Sequence, residues 1–298
     1  MISFTSDVPT TSIGHFPLTE LDQKQLFKPL TKWNTVIKKP NKLADNIRKA
    51  FKESTTGKPG ACHICFPFDI QTAEVSEKDI WANQSYSNFP SEVKKPSIKK
   101  IKKILKSIYK SNNPLIVIGG AIKNSFAENE LKKFVEKLNI VLATSVTGKG
   151  TLSDNHPNNL GVVGSNGGSL FTREFLNKSD LIIFLGCRAG SVTTEKWKYP
   201  SKNKKIIHID IDPKVINSNY KSYKSLVAEI KQTLKIFNKF VEKCNFKGDK
   251  IVKEVKRKKF KEFEQLSSVN SGLIKPERIV KELNNVLPED TYIFVDPG

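Results

Sequence analysis

Four stretches of this chain carry residue types suited to holding a nucleotide, and each follows a short apolar run. Gly119-Gly120 closes the run 114–118, a place where backbone without side chains can approach a pyrophosphate closely. Gly164-Ser-Asn-Gly-Gly168 stands just ahead of a helical segment and offers several backbone N–H groups, as an anion-cradling turn would. Gly186-Cys-Arg188 ends the run 180–185 and sets a guanidinium where it would neutralise phosphate or ring electron density. Asp210 and Asp212 alternate at the end of the run 205–211, where carboxylates can accept hydrogen bonds from ribose or ring groups.

Each stretch also has a plainer use. Gly119-Gly120 lacks the full Gly-x-Gly-x-x-Gly pattern and reads equally as a tight turn. Arg188 could make a surface salt bridge, and Asp212 could cap the helix that follows it. Convergence of all four loops on one crevice is the stronger argument. Cys62-His-Ile-Cys65 has the look of a metal or redox motif, but in an extended strand positions 62 and 65 face opposite sides and no second cysteine pair exists. No metal site is expected. His208, inside an apolar run, reads as a core histidine. No Gly-x-Ser-x-Gly elbow, P-loop or paired-carboxylate motif occurs.

The elements that must position these residues follow from periodicity. Strands are expected over 115–118, 140–144, 180–185 and 205–211, with unbroken β-branched character that suits burial on both faces. Helices are expected over 98–109, about 127–138, about 168–177 and 225–241, with a long loop between the strand at 140–144 and the helix near 168. The fold class is therefore α/β: a central parallel sheet with helices on both faces, Rossmann-like, flanked by incomplete α/β pieces. Before it, Leu43 to Ser54 reads as a helix with Leu43, Ile47, Ala50 and Phe51 on one face, followed by a strand that Pro67 ends. Their partners are expected upstream of residue 1. Beyond it, Lys275 to Leu287 reads as a helix with Pro276 in its first turn and Thr291 to Val295 as a strand. The chain is thus expected to be an interior segment of a longer protein.

Composition narrows the partners. The formal charge is +20, but only five of the 50 basic residues are arginine, at 48, 173, 188, 257 and 278. Scattered lysine mostly keeps a surface hydrated, so no nucleic-acid partner is expected. Four cysteines form no disulfide framework, the amino terminus carries no leader pattern, and no run approaches the roughly 20 apolar residues of a membrane span. A reducing, cytoplasmic setting without a membrane partner is the expectation.

Set in order, these segments resemble the thiamine diphosphate enzymes, especially the acetolactate synthases. The resemblance is carried by Thr55-Thr-Gly-Lys-Pro-Gly-Ala-Cys-His-Ile-Cys-Phe-Pro-Phe-Asp-Ile-Gln71, by Lys28-Pro-Leu-Thr-Lys-Trp33, by Ala143-Thr-Ser-Val-Thr-Gly-Lys-Gly150, by Asp180 to Arg188 and by His208-Ile-Asp-Ile-Asp-Pro213. It implies five parts: 1–73, the end of a pyrimidine-binding domain; 74–96, a linker; 97–241, the central domain; 242–270, a linker; and 271–298, the start of a diphosphate-binding domain. It also implies thiamine diphosphate and Mg²⁺ in the intact enzyme, a small 2-oxo acid as substrate, decarboxylation followed by carboligation, and a homodimer or homotetramer. The activating glutamate and the metal motif of the family have no counterpart in these 298 residues, so the catalytic residues are expected outside the chain and the segment alone is expected to be inactive. By position, Gly119, Gly120, Thr144, Gly164, Arg188, Asp210 and Asp212 match the loops with which the family's central domain contacts FAD or, in other members, ADP. Gly164-Ser-Asn-Gly167 and Arg188-Ala-Gly-Ser-Val192 depart from the acetolactate synthase pattern. Two other readings keep the same crevice: a non-catalytic nucleotide-binding or regulatory subunit, and an NAD-binding protein of similar central fold.

Overall fold

The computed structural model describes residues 1–92 and 95–295. It contains two parallel sheets. The first holds β1 (Ile2–Asp7), β2 (Trp33–Val36) and β3 (Cys62–Pro67) in the order β1-β3-β2, with helices α1 (Gln23–Phe27), α2 (Leu43–Thr55) and α3 (Phe68–Gln71) in the intervening and following chain. Strand β3 therefore finds both partners inside the chain, which corrects the expectation that they lie upstream. The short runs of β1 and β2 carry too few apolar residues to be read as strands, yet β3 supplies the hydrogen bonds that define them. One face packs Cys62, Ile64 and Ile70 against Ala50 and Ile37, with Leu43 and Ile47 of α2 beside them. Phe51, expected on that face, is exposed. Residues 77–92 pack back on α2 through Arg48 over the Trp81 ring at 4.1 Å and a Lys52–Glu92 ion pair at 2.9 Å.

The second sheet has six strands, all parallel: β4 (Pro114–Ile118), β5 (Val141–Thr144), β6 (Asn159–Val162), β7 (Leu181–Leu185), β8 (Lys205–Asp210) and β9 (Lys224–Val227), in the order β6-β5-β4-β7-β8-β9. Alternate residues serve opposite faces, as a pleated strand requires. Ile116, Ile118, Leu142, Ile183, Ile207 and Ile209 face α4 (Ile98–Tyr109), α6 (Glu128–Leu138) and α8 (Ile230–Phe240). Leu115, Val117, Ala143, Ile182, Phe184 and Ile206 face α7 (Leu170–Lys178) and α9 (Gly248–Ser267). A short α5 (Ala121–Asn124) precedes α6, and α10 (Pro276–Val286) follows α9.

Three expectations change here. The loop after β5 contains β6, an edge strand whose Gly161 hides the strand pattern. The helix expected over 225–241 is β9 followed by α8, because Leu226 and Val227 pair with β8 and Glu229 then caps a new helix through Lys231 N and Gln232 N at 2.8 and 2.6 Å. Thr291 to Val295 is not a strand: it is exposed and irregular, since no neighbouring strand among the described residues offers it a ladder. Residues 296–298 lie outside the described residues. Among the described residues no helix is long and apolar enough to cross a membrane.

Candidate functional site

Beginning from β4, the chain lays strands β5 and β6 to one side and then crosses back to place β7, β8 and β9 on the other. The order reverses between β4 and β7, and in an open parallel sheet that switch point is where the following loops part and leave a crevice. Gly119 ends β4 and Gly186 ends β7, so the sequence puts glycine on both sides of the divide.

All four expected loops lie along this one carboxyl edge, joined by consecutive backbone bonds. Val163 N donates to Thr144 O at 2.9 Å, Ser145 N to Ile118 O at 2.9 Å, Gly119 N to Leu185 O at 3.2 Å, Gly186 N to Ile209 O at 2.8 Å and Ala228 N to Asp210 O at 3.1 Å. The edge is thus one continuous rim.

Several expected residues prove to have internal work. A Cβ at Gly119 would stand 2.1 Å from Gly186 O, and one at Gly164 would stand 2.1 Å from Val192 O. These glycines are demanded by neighbouring backbone, whatever else they do. Gly120 abuts Thr147, and the 164–168 turn folds onto itself and onto Val192, whose carbonyl accepts from Ser165 N at 2.9 Å. Asp210 is buried, its Oδ1 accepting from Asp212 N at 2.9 Å, and burial raises its carboxyl above the ordinary value. Asp212 accepts from Lys214 N at 2.9 Å and lies 3.6 Å from the Lys58 ammonium, so it caps a turn rather than the expected helix, which begins only at Ile230, and meets the end of α2's connecting loop. Two residues are uncommitted. The Thr144 hydroxyl is buried without a hydrogen-bond partner among the described residues. The Arg188 side chain is exposed and makes no hydrogen bond or ion pair there, which sets aside the surface salt bridge.

Beside the switch point this leaves one buried hydroxyl, on Thr144, and one exposed guanidinium, on Arg188, without partners among the described residues. His208 and Asn219, which sequence reasoning did not place at the site, hold the turn that carries Arg188. The alternation of 206, 208 and 210 on one strand face was the available signal for His208; nothing in the sequence flags Asn219. Elsewhere, Cys62 packs in the apolar core of the first sheet, and Cys65 hydrogen-bonds Asp7 Oδ2 at 3.3 Å, with burial pushing its thiol up to about 12. Among the described residues no group of three or more His, Cys, Asp or Glu is placed to hold a metal ion.

The span that forms this doubly wound sheet is also the span that the comparisons match. Residues 101–237 match the family described as thiamine pyrophosphate enzyme, central domain. Along its whole length the chain is similar to acetolactate synthase large subunits. It is 35% identical over 316 residues to the probable acetolactate synthase large subunits of Methanocaldococcus jannaschii and Methanococcus aeolicus, alignments that take in all of this chain and 51% and 52% of those proteins. To the acetolactate synthase large subunit of Buchnera aphidicola subsp. Schlechtendalia chinensis it is 28% identical over 307 residues, again along its whole length and 52% of the relative. The chain spans about half the length of the curated relatives it matches.

Proposed function

We propose that this chain is the middle of an enzyme that decarboxylates a 2-oxo acid and joins the remaining carbanion to an acceptor, as an acetolactate synthase does. The observation that carries this reading is similarity along the whole chain, on both sheets and on α10, to acetolactate synthase large subunits. Thiamine diphosphate with Mg²⁺ supplies the nucleophilic carbon and the electron sink for such chemistry. On this reading the activating glutamate and metal ligands stand outside these 298 residues, the five-part division above is that of the intact enzyme, and a cytoplasmic homodimer or homotetramer is its form.

The part this chain plays itself is at the rim. Arg188 and Thr144 would hold the phosphate of a nucleotide, FAD or ADP, in the central domain, where the group organises the subunit. One oxygen each of Asp210 and Asp212 is already committed to a backbone amide, which favours recognition of the phosphate over recognition of a ring. Two measurements test the reading. Spliced into the matching span of the M. jannaschii relative, residues 1–298 should restore acetolactate formation in a strain lacking the enzyme; a soluble but inactive hybrid would contradict the assignment. Purified alone, the chain should form no acetolactate from pyruvate, yet its melting midpoint should rise with ADP or FAD; a midpoint indifferent to both removes the nucleotide.

A further inference from the structure

Under Arg188 lies a set of bonds that reaches three carbonyls in succession. His208 Nε2, on β8, donates to Cys187 O at 2.8 Å. Asn219 Nδ2, in the connection between β8 and β9, donates to Arg188 O and to Ala189 O, each at 3.2 Å. The first amide of the same turn, Gly186 N, is taken by Ile209 O. Four consecutive residues are therefore tied to β8 or to the segment behind it.

The two side chains are suited to this and to little else. His208 is 2% exposed, tilted against Phe184 with ring centroids 5.6 Å apart, and its Nδ1 has no partner. The proton therefore sits on Nε2, facing Cys187 O, and burial keeps the ring neutral by lowering its basicity. Ala189 adopts φ +49°, a left-handed conformation that a residue with a Cβ rarely takes without being held. The Asn219 bonds on either side of its Cα supply that hold. Cys187 and Ala189 are buried, whereas Arg188 between them is exposed and unpaired. Such a turn fixes where the guanidinium leaves the sheet, and a charge held in place before binding loses less entropy when it binds.

We propose that His208 and Asn219 are positioning residues, which clamp the 187–189 turn so that Arg188 is presented to a phosphate-bearing anion at the switch point between β4 and β7. The anion itself rests on the nucleotide reading above; the clamp does not. A test uses the full chain and the side-chain Nε–Hε resonance of Arg188, resolvable because only five arginines occur, with inorganic pyrophosphate and ADP as probes. In the wild type that resonance moves on titration while those of Arg257 and Arg278 stay put. Asn219→Ala, at an exposed position, leaves the fold intact but weakens either probe by about tenfold, the scale of one well-aligned charge-assisted bond. It also loosens the backbone amides of residues 188 and 189 when no probe is present. His208→Leu does the same, and His208→Gln, which keeps an amide donor, recovers most of the affinity. Equal affinity in a folded Asn219→Ala and the wild type would overturn the clamp. If the wild type binds neither probe, the nucleotide reading fails on its own; the probe-free amides then decide the clamp, with lost order supporting it and unchanged order overturning it.

Discussion

Gly119 has an environment that leaves no room for a methyl group. An added Cβ would meet Gly186 O at 2.1 Å and Cys187 Cα at 2.7 Å, both backbone and both held by β8. Gly119→Ala should lower unfolding free energy by about 2 kcal/mol, the usual scale for forced overpacking, read as a shift of the urea midpoint without a change in slope. Asp210 gives a pH signature. Burial raises its folded pKa above the unfolded value, so its stabilising contribution is present below the unfolded pKa and is lost as pH rises through the folded one. Asp210→Asn keeps an acceptor for Asp212 N and should match the wild type in acid, then become the more stable of the two above about pH 4. Melting midpoints across that range check the sign. Thiol chemistry separates the four cysteines: burial pushes Cys187 up to about 11 and Cys65 up to about 12, Cys62 is buried, and Cys244 is only partly so. A disulfide reagent should label Cys244 first in the folded chain and all four in denaturant, as counted by mass spectrometry.

At the scale of elements, α9 shows how a charged segment joins a core. Its first turn is tied to the end of α6 through Asn139, which stands at φ +48° and whose side chain bonds Asp249 Oδ1 at 2.8 Å and accepts from Asn158 Nδ2 at 2.8 Å. Gly248 fits there because a Cβ would lie 2.7 Å from Asn139 O. Further along, Lys256 and Lys259 reach carbonyls of Asp154 and Leu160 at 2.5 and 2.8 Å, covering the outer edge of β6. Burial beside Lys256 lowers Lys259 to about 8. An edge strand flanked by lysines, one of them bonded to its Leu160 carbonyl, is a poor template for another chain. Asn139→Gly keeps the left-handed backbone but removes the side-chain bonds, and should cost about 1–2 kcal/mol. Hydrogen exchange should show the loss confined to the first turn of α9; uniform loss across the sheet would mean that the bonds matter for something other than docking this helix.

For the molecule as a whole, one surface stands apart from both cores. Helix α10 carries Ile279, Val280, Leu283 and Val286 in exposed positions, and Ile279, Leu283 and Val286 line a cleft of about 490 Å³ with Leu273 and Ile274. An amphipathic helix is stabilised chiefly by what covers its apolar face. Here nothing among the described residues covers it. The chain should therefore bind an apolar dye, and Leu283→Glu should abolish most of that fluorescence while the melting midpoint of the central sheet stays within a degree or two. Unchanged fluorescence would place the dye elsewhere. The charge of +20 is spread through lysines of α4, α8 and α9 on the outside of the sheet, a distribution that hydrates a surface without building a bidentate site.

Local pattern was enough for the central strands and for the edge on which their loops fall. Buried parallel strands are unbroken β-branched runs, and the residues after them must share one rim because every strand points the same way. Sequence alone also carried the resemblance that the comparisons bear out. It did not disclose β1, β2, β6 and β9, since short edge strands owe their existence to a neighbour's hydrogen bonds and have little apolar period of their own. Nor could it say which rim residues are free. Gly119 and Gly164 answer to backbone distant in sequence, Asp210 accepts within its own turn while Asp212 also meets Lys58 from another segment, and Arg188 is left open by what does not reach it. Such assignments depend on distances between segments some tens of residues apart, which only the folded chain brings together.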